Sequence, residues 1–186
     1  MGPRAAAPRF AAVRARYKLV AMPGDANPNE QASGLRVNPS QEGIRIGPLT
    51  VRFLLTGSDS AGGIAAFELV VPGAQRLLGP AHSHNHYEET IYGIEGALTW
   101  TVDGRPIEVG PGQALCIPRG AVHRFENNGN REAKALCVIT PAAIGPDFFR
   151  ESAAVINAAA GGPPDRAKMA EIMRRHGLTP APSPQA

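Results

Sequence analysis

A series of short β-rich runs, each bounded by turn residues, is the feature of this sequence that most constrains its fold. The runs are Leu49–Leu55, Ile64–Val71, Thr90–Ile94, Ala97–Val102, Pro106–Val109, Ala114–Ile117, His123–Glu126 and Ala135–Thr140. Many short strands with frequent turns are typical of an all-β sandwich or barrel. No segment of helical period interrupts them, which disfavours a parallel α/β fold. Asp103-Gly104, between two of the runs, predicts a tight β-hairpin.

The two flanks of this region differ from it. Residues 1–43 have no sustained apolar period, and we expect an extended, partly disordered segment there. After Thr140 the period becomes helical. One predicted helix is capped by Asp147 and ends at Gly161-Gly162, and its shared face is Phe149, Ala153, Ile156 and Ala160. A second begins near Pro163-Pro164, with Asp165 in its first turn and Met169, Ile172 and Met173 at helical spacing. The predicted division is therefore residues 1–43, a barrel at 44–141, a helical segment at 142–178 and a disordered tail at 179–186.

Composition excludes several classes of function. The net charge of +3 is small, and no basic stripe with interleaved aromatics is present, so we expect no nucleic-acid partner. No apolar run is long enough for a membrane span. Arg14, Arg16 and Lys18 interrupt the apolar stretches that a secretion signal would need. Cys116 and Cys137 lie in apolar runs and are predicted to be buried, reduced thiols, so we expect a cytoplasmic protein.

A cluster of histidines points to a metal site. Four of the five histidines fall in the strand region: His82, His84, His86 and His123. Side chains alternate along a strand, so a His-x-His sequence places two imidazoles on one face. Imidazole nitrogen is the commonest protein ligand for transition metals, and Glu88 or Glu89 could add a carboxylate. The residues alone leave two registers open, His82 with His84 or His84 with His86.

Two segments of the sequence resemble the paired motifs of the cupin superfamily. The segment from His82 to Gly96 reads His-x-His, four residues, Glu, six residues, Gly. The segment from Gly112 to Asn127 reads Gly, five residues, Pro, one residue, Gly, two residues, His, three residues, Asn. The first motif usually has a Gly where this chain has Arg76, which affects the expected shape of one pocket rim.

The resemblance implies an all-β cupin jelly-roll barrel with C-terminal helices. It also implies that His82, His84, Glu89 and His123 bind one divalent transition metal (Fe, Ni, Mn, Co, Cu or Zn), with one or two coordination positions left open. His86 is then a rim or surface residue and Glu88 faces solvent. A single motif pair implies a single-domain cupin, and the superfamily implies a homodimer.

An open site of this kind can bind a chelating small-molecule substrate, and the resemblance to quercetinase-like single-domain cupins favours a dioxygenase. Glu89 is the candidate general base. The alternatives are a metal-dependent isomerase, lyase or decarboxylase, and a non-catalytic binding cupin. The predicted pocket wall is Ile91, Phe125, Phe53, Phe67 and Trp100, with Phe148 or Phe149 closing the mouth. Only Arg76, Arg119 and Arg124 are cations nearby, so we expect an aromatic or enol substrate. Asn127 is predicted to satisfy the backbone of the turn that follows it.

Overall fold

The computed structural model describes residues 42–182, which form two antiparallel β-sheets and two α-helices. The strands are β1 Ile44–Ile46, β2 Leu49–Leu55, β3 Ala65–Val71, β4 Gln75–Arg76, β5 His82–His84, β6 Glu88–Glu95, β7 Leu98–Val102, β8 Arg105–Val109, β9 Ala114–Ile117, β10 His123–Asn127, β11 Ala133–Thr140 and β12 Leu178–Pro180. The helices are α1 Pro146–Ala158 and α2 Arg166–Arg175. A short 3-10 helix covers Gly57–Ser60.

Neighbouring strands in each sheet are distant in sequence. One sheet has the order β1-β2-β3-β11-β6-β9, and the other has the order β12-β5-β10-β7-β8, with β4 also paired to β10. Along β11 every second residue is buried, namely Ala133, Ala135, Cys137 and Ile139, because alternate side chains point to the core face. The predicted all-β jelly-roll with C-terminal helices is confirmed.

The β7–β8 connection is the hairpin that the sequence predicts. Asp103 and Gly104 have φ values of 46° and 78°. Positive φ at both central residues is the conformation of the type I′ turn, whose twist matches that of the flanking strands. The hairpin pairs Val102 with Arg105 and leaves β8 at the edge of its sheet.

The first C-terminal helix begins differently from the prediction. Gly145, not Asp147, is its N-cap, because Pro146 at the first helical position has a fixed helical φ. Asp147 lies inside the first turn and pairs with Arg150 at 2.9 Å. The predicted apolar face also extends too far along the chain. Ala160 lies beyond the end of the helix, where it is exposed and has a φ of 47°.

The second helix is capped by Asp165. Its carboxylate accepts hydrogen bonds from the backbone N–H groups of Ala167 and Lys168, at 3.0 and 3.1 Å. Asp165 is therefore the N-cap rather than a first-turn residue. The predicted stripe of Met169, Ile172 and Met173 is buried.

Hydrogen bonds link the helices to the sheets and to each other. The Asn157 side chain accepts from the Gly47 N–H at 2.6 Å and donates to the Arg45 carbonyl at 3.0 Å. These bonds tie α1 to the β1–β2 hairpin. Glu151 of α1 accepts from Arg175 at 2.7 Å, at the end of α2. The two helices thus form one covering element, which we call the helical cap (residues 146–175).

A last strand follows the helical cap, where we predicted a disordered tail from Thr179. Leu178, Thr179 and Pro180 pair with His84, Ser83 and His82 of β5. The disorder prediction is wrong for Thr179 and Pro180, since strand pairing fixes them. Residues 183–186, and the predicted N-terminal segment up to residue 41, lie outside the described residues.

The cysteine prediction is partly wrong. Cys137 and Cys116 are both free thiols, and Cys137 is buried as expected. Cys116 is exposed, because its position on β9 places its side chain on the outer face of an edge strand. In residues 42–182 no helix is long and apolar enough to cross a membrane. The homodimer and the cytoplasmic location stay predictions.

Candidate metal centre

Three strands supply the four predicted ligands. His82 and His84 lie at the two ends of β5, Glu89 lies on β6, and His123 begins β10. β5 and β10 are neighbours, and His82 and His123 are directly opposed in their pairing. The His-x-His spacing therefore places two imidazoles on one face of a strand, and the neighbouring strand adds the third.

The three imidazoles form a compact cluster. Their nearest ligand nitrogens all lie within 4.8 Å of one another. The ring centroids of His82 and His84 are each 4.6 Å from that of His123. Glu89 joins this cluster through its Oε2 atom, which lies 3.3 Å from His84 Nε2 and 3.4 Å from His123 Nε2. His86 is exposed and outside the cluster, so the register of His82 with His84 is the one that converges.

Backbone carbonyls hold each ring by its Nδ1 atom. His82 Nδ1 lies 3.3 Å from the Pro80 carbonyl oxygen. His84 Nδ1 lies 3.3 Å from the Tyr87 oxygen, and His123 Nδ1 lies 3.1 Å from the Ala121 oxygen. A carbonyl oxygen only accepts, so Nδ1 carries the proton and donates. In a neutral imidazole Nε2 then presents a lone pair, which is the arrangement that orients histidine ligands around a metal.

The Nε2 atoms of His84 and His123 consequently face another acceptor, the Glu89 carboxylate. A neutral imidazole donates one hydrogen bond, and each of these rings has acceptors at both nitrogens. Satisfying both sides with protons alone requires two adjacent imidazolium ions that share one carboxylate, which leaves a net positive charge inside the protein. A divalent cation held by His84, Glu89 and His123 would accept lone pairs from the two rings and from the carboxylate. The donor set of three imidazoles and one carboxylate therefore fits a transition metal.

The pKa values of three residues of the cluster are shifted from their ordinary values. Burial and the neighbouring His123 lower the pKa of His82 to about 3, so this ring stays neutral in ordinary buffers. Burial alone would raise the pKa of Glu89, but hydrogen bonds from His123 and His84 outweigh it and hold this pKa far below its usual value. Burial alone would lower the pKa of His123, and the Glu89 carboxylate overcomes this and raises it. Glu89 is thus a buried carboxylate in its charged form.

Two neighbours of the cluster were not predicted from the sequence. Tyr87 stacks on His84 with ring centroids 4.1 Å apart and an interplanar angle of 18°. Tyr87 lies two residues before Glu89, and that spacing could have suggested a shared face. Cys137 lies beside Glu89, and burial together with that negative charge raises the pKa of the thiol, which stays protonated. Because Cys137 is on β11, only the β6–β11 pairing brings it here, and no local signal could have found it.

The cluster opens into an apolar cavity beneath the helical cap. The centre of a water molecule can occupy about 90 Å³ of this cavity. A water molecule needs about 10–15 Å³ by this measure, so the cavity has room for several waters or a small organic molecule. No Lys or Arg side chain of residues 42–182 lines this cavity. Besides the cluster, its apolar wall includes Val51, Phe67, Leu69, Trp100, Phe125, Ile139, Phe148, Phe149, Ile156, Met169, Met173 and Leu178.

Most of the predicted wall residues reach this cavity. Phe67, Trp100 and Phe125 line it, and so do Phe148 and Phe149 of α1. Phe149 packs against Phe67 with ring centroids 5.0 Å apart. The structure corrects two assignments. Ile91 and Phe53 are buried core residues outside the lining. The expected nearby cations also lie elsewhere: Arg76 and Arg124 are exposed, and Arg119 pairs with Glu88 at 2.8 Å.

Asn127 has the structural role expected of it. Its Nδ2 donates to the Val71 and Arg131 carbonyls at 2.9 and 2.8 Å. Its Oδ1 accepts from the Gly129 N–H at 2.9 Å. The buried amide therefore links the β3 end to the β10–β11 turn, which fixes the strand that carries His123.

Comparison with known proteins agrees with this fold. Residues 67–139 match the family model described as the cupin domain. The chain is 37% identical over 101 residues to protein SchB of Streptomyces halstedii, a match that covers 53% of this chain and 70% of SchB. The chain belongs to the cupin family.

Two further relatives carry more specific names. The tetracenomycin polyketide synthase protein TcmJ of Streptomyces glaucescens is 32% identical over 83 residues, covering 45% of this chain and 56% of TcmJ. Quercetin 2,3-dioxygenase of Bacillus subtilis is 35% identical over 69 residues, covering 37% of this chain and 20% of that enzyme. The chain thus matches just over half of one protein and a fifth of the other.

Proposed function

We propose that this chain is a metal-dependent enzyme, a dioxygenase that acts on a small aromatic or enol substrate. His82, His84, Glu89 and His123 would hold one divalent transition metal (Fe, Ni, Mn, Co, Cu or Zn). The observation that carries the proposal is the orientation of the cluster. Three imidazoles have their Nδ1 atoms held by carbonyls, and the Nε2 atoms of two of them converge on the Glu89 carboxylate at the wall of an apolar cavity.

The cavity wall defines the class of substrate. Aromatic and aliphatic side chains cover it, and Lys and Arg are absent from the lining that residues 42–182 provide. A dicarboxylate or phosphate would enter this space without a counter-charge, which is unfavourable. A planar molecule with an enol or phenol enters without a charge and would present its oxygen atoms to a metal held by the cluster.

The residues of the cluster would have two roles, metal binding and proton transfer. When bound, the metal supplies Lewis acidity that lowers the pKa of an enol or phenol, and a redox-active metal also supplies a site for O₂. Glu89 is ionised and accepts the substrate proton. Glu89 would also be a metal ligand, which weakens it as a base, so it depends on a substrate whose proton the metal makes acidic. Phe148, Phe149 and Met169 of the helical cap would limit the access of bulk water to the site.

A dioxygenase reaction is consistent with these parts. Both oxygen atoms enter the products, so the reaction needs no external reductant. The similarity to quercetin 2,3-dioxygenase, although it spans a small part of that enzyme, supports the same class.

A second candidate is a non-oxidative reaction on a polycarbonyl substrate, in the isomerase or lyase class. The relative TcmJ is named as a polyketide synthase protein, and polyketide chains carry the β-diketone groups that fit this site. The same proton transfer by Glu89 would then promote bond rearrangement without O₂.

Oxygen uptake separates these candidates. Protein loaded separately with Fe²⁺, Ni²⁺, Mn²⁺, Co²⁺, Cu²⁺ or Zn²⁺ is mixed with 1-phenyl-1,3-butanedione or quercetin in an oxygen electrode. The proposal expects O₂ uptake and two ¹⁸O atoms in the products from ¹⁸O₂. His123→Ala should abolish the uptake, and His86→Ala, a matched change outside the cluster, should preserve it. Substrate conversion without uptake would support the second candidate, and binding without conversion would support a non-catalytic cupin.

A further inference from the structure

The cavity lining includes a polar side chain outside the metal cluster, the Ser152 hydroxyl. Ser152 lies on α1 and is 4% exposed. On this helix it shares a face with Phe148 and Ile156, four residues before and after it, and all three line the cavity. An otherwise apolar face thus carries a hydroxyl where it meets the ligand space.

The Ser152 hydroxyl has no hydrogen-bonding partner in the part of the chain that the structure describes. Within residues 42–182, two buried side-chain polar atoms lack one, Ser152 Oγ and Trp100 Nε1. Both residues line the same cavity, although one is on the helical cap and the other on β7. Serine in a helix commonly bonds to the carbonyl four residues earlier, but Ser152 makes no such bond to Phe148. A buried hydroxyl without a partner is destabilising, so the protein carries a cost that a ligand could remove.

We propose that Ser152 is a specificity-determining residue whose hydroxyl hydrogen-bonds a substrate oxygen other than those that bind the metal. The inference rests on the proposed function, because it presumes an enol or phenol substrate in this cavity. It adds that the substrate carries a further hydroxyl or carbonyl group on its apolar part. Serine both donates and accepts, so either group satisfies it. Trp100 is less suited to a test, since its ring lies beside His123, with centroids 6.3 Å apart.

If Ser152 has this role, removing its hydroxyl should have opposite effects on stability and on ligand binding. Ser152→Ala removes an unpartnered buried polar atom, so the melting temperature should stay equal or rise. The same change should weaken binding only of molecules that use the hydroxyl. A residue with a purely structural role would give the reverse pattern, a lower melting temperature and no dependence on the ligand's substituents.

The test uses a matched set of β-diketones. Metal-loaded wild type and Ser152→Ala are titrated calorimetrically with 1-phenyl-1,3-butanedione and with its ortho-, meta- and para-hydroxyphenyl derivatives. At least one hydroxylated compound should bind the wild type more tightly than the parent. Ser152→Ala should lose about three- to tenfold in affinity for that compound, the usual worth of one neutral hydrogen bond, and nothing for the parent. Ser152→Thr should restore the preference, and Ala154→Ser, on the exposed side of α1, should leave it unchanged.

The outcomes separate this inference from the proposed function. If the wild type binds the parent compound but Ser152→Ala changes all affinities equally or not at all, the role of Ser152 is wrong and the proposed function stands. If the metal-loaded wild type binds no compound of the set, the proposed substrate class fails, and the inference fails with it.

Discussion

Leu178 in the last strand lies directly opposite His84 in the antiparallel pairing of β12 with β5. Leu178 is buried and lines the cavity, and the Ala181 N–H bonds to the Ala81 carbonyl at 2.7 Å. The strand that carries two of the proposed metal ligands is therefore held in place by a segment almost a hundred residues later in the chain.

Removing β12 should loosen the metal site. A chain ending at Gly177 loses the burial of Leu178, worth about 2–5 kcal/mol for a leucine side chain, and the strand pairing to β5. We expect a melting temperature lower by roughly 5–15 °C in thermal unfolding, and weaker metal binding. A chain ending at Pro182 is the control and should match the full chain. Equal melting temperatures for the two truncations would contradict the role of β12.

Asn127→Ala should destabilise the protein, although Asn127 is not part of the metal cluster. It leaves the buried Val71 carbonyl and its neighbours in the turn without their partner, at a cost of about 1–3 kcal/mol in the free energy of unfolding. Asn128→Ala, which removes an exposed amide, should cost less than about 0.5 kcal/mol. Urea unfolding measures both. The assignment of Asn127 to the fold would be wrong if the two variants were equally stable.

Metal binding should weaken in acid. The pKa of His123 is raised above its ordinary value of 6.5, whereas that of His82 is lowered to about 3. Below the raised pKa a metal must displace a proton from His123, while His82 is already neutral. Affinity should therefore be highest above this pKa and fall by about tenfold per pH unit below it. Competition with a chelator of known affinity, from pH 8.5 to 5.5, measures this, and a flat profile would contradict the proton assignment.

Glu89→Gln should separate proton transfer from metal binding. Glutamine keeps the size and one oxygen ligand but removes the base, so metal content should remain while turnover falls on the order of 100-fold or more. Glu88→Gln is the matched control, since Glu88 pairs with Arg119 away from the cavity. Retained metal with unchanged turnover would make Glu89 a ligand only.

Local signals in the sequence predict much of this structure. Strand alternation, the Asp103-Gly104 hairpin and the His-x-His spacing depend on neighbouring residues, and each appears where expected. The cupin motif spacing selects His82 and His84 over His86, and the structure brings the former two together with His123.

Features that depend on distant pairing could not be predicted in this way. Cys137 lies beside Glu89 only because β11 pairs with β6. Residues 178–180 form a strand only because they pair with the edge of β5. The cap of α1 was misplaced because Pro146 competes with Asp147 for the start of the helix. Ser152 was missed because a serine in an amphipathic helix has no local sign of an unpartnered hydroxyl.

The central claim is that His82, His84, Glu89 and His123 form a metal site, and metal analysis tests it most directly. Protein purified without chelators should contain about one divalent transition metal per chain by plasma mass spectrometry. His123→Ala should lose most of that metal, and His86→Ala, which alters an exposed histidine beside the same strand, should retain it. Full occupancy in His123→Ala, or equal loss in both variants, would contradict the account.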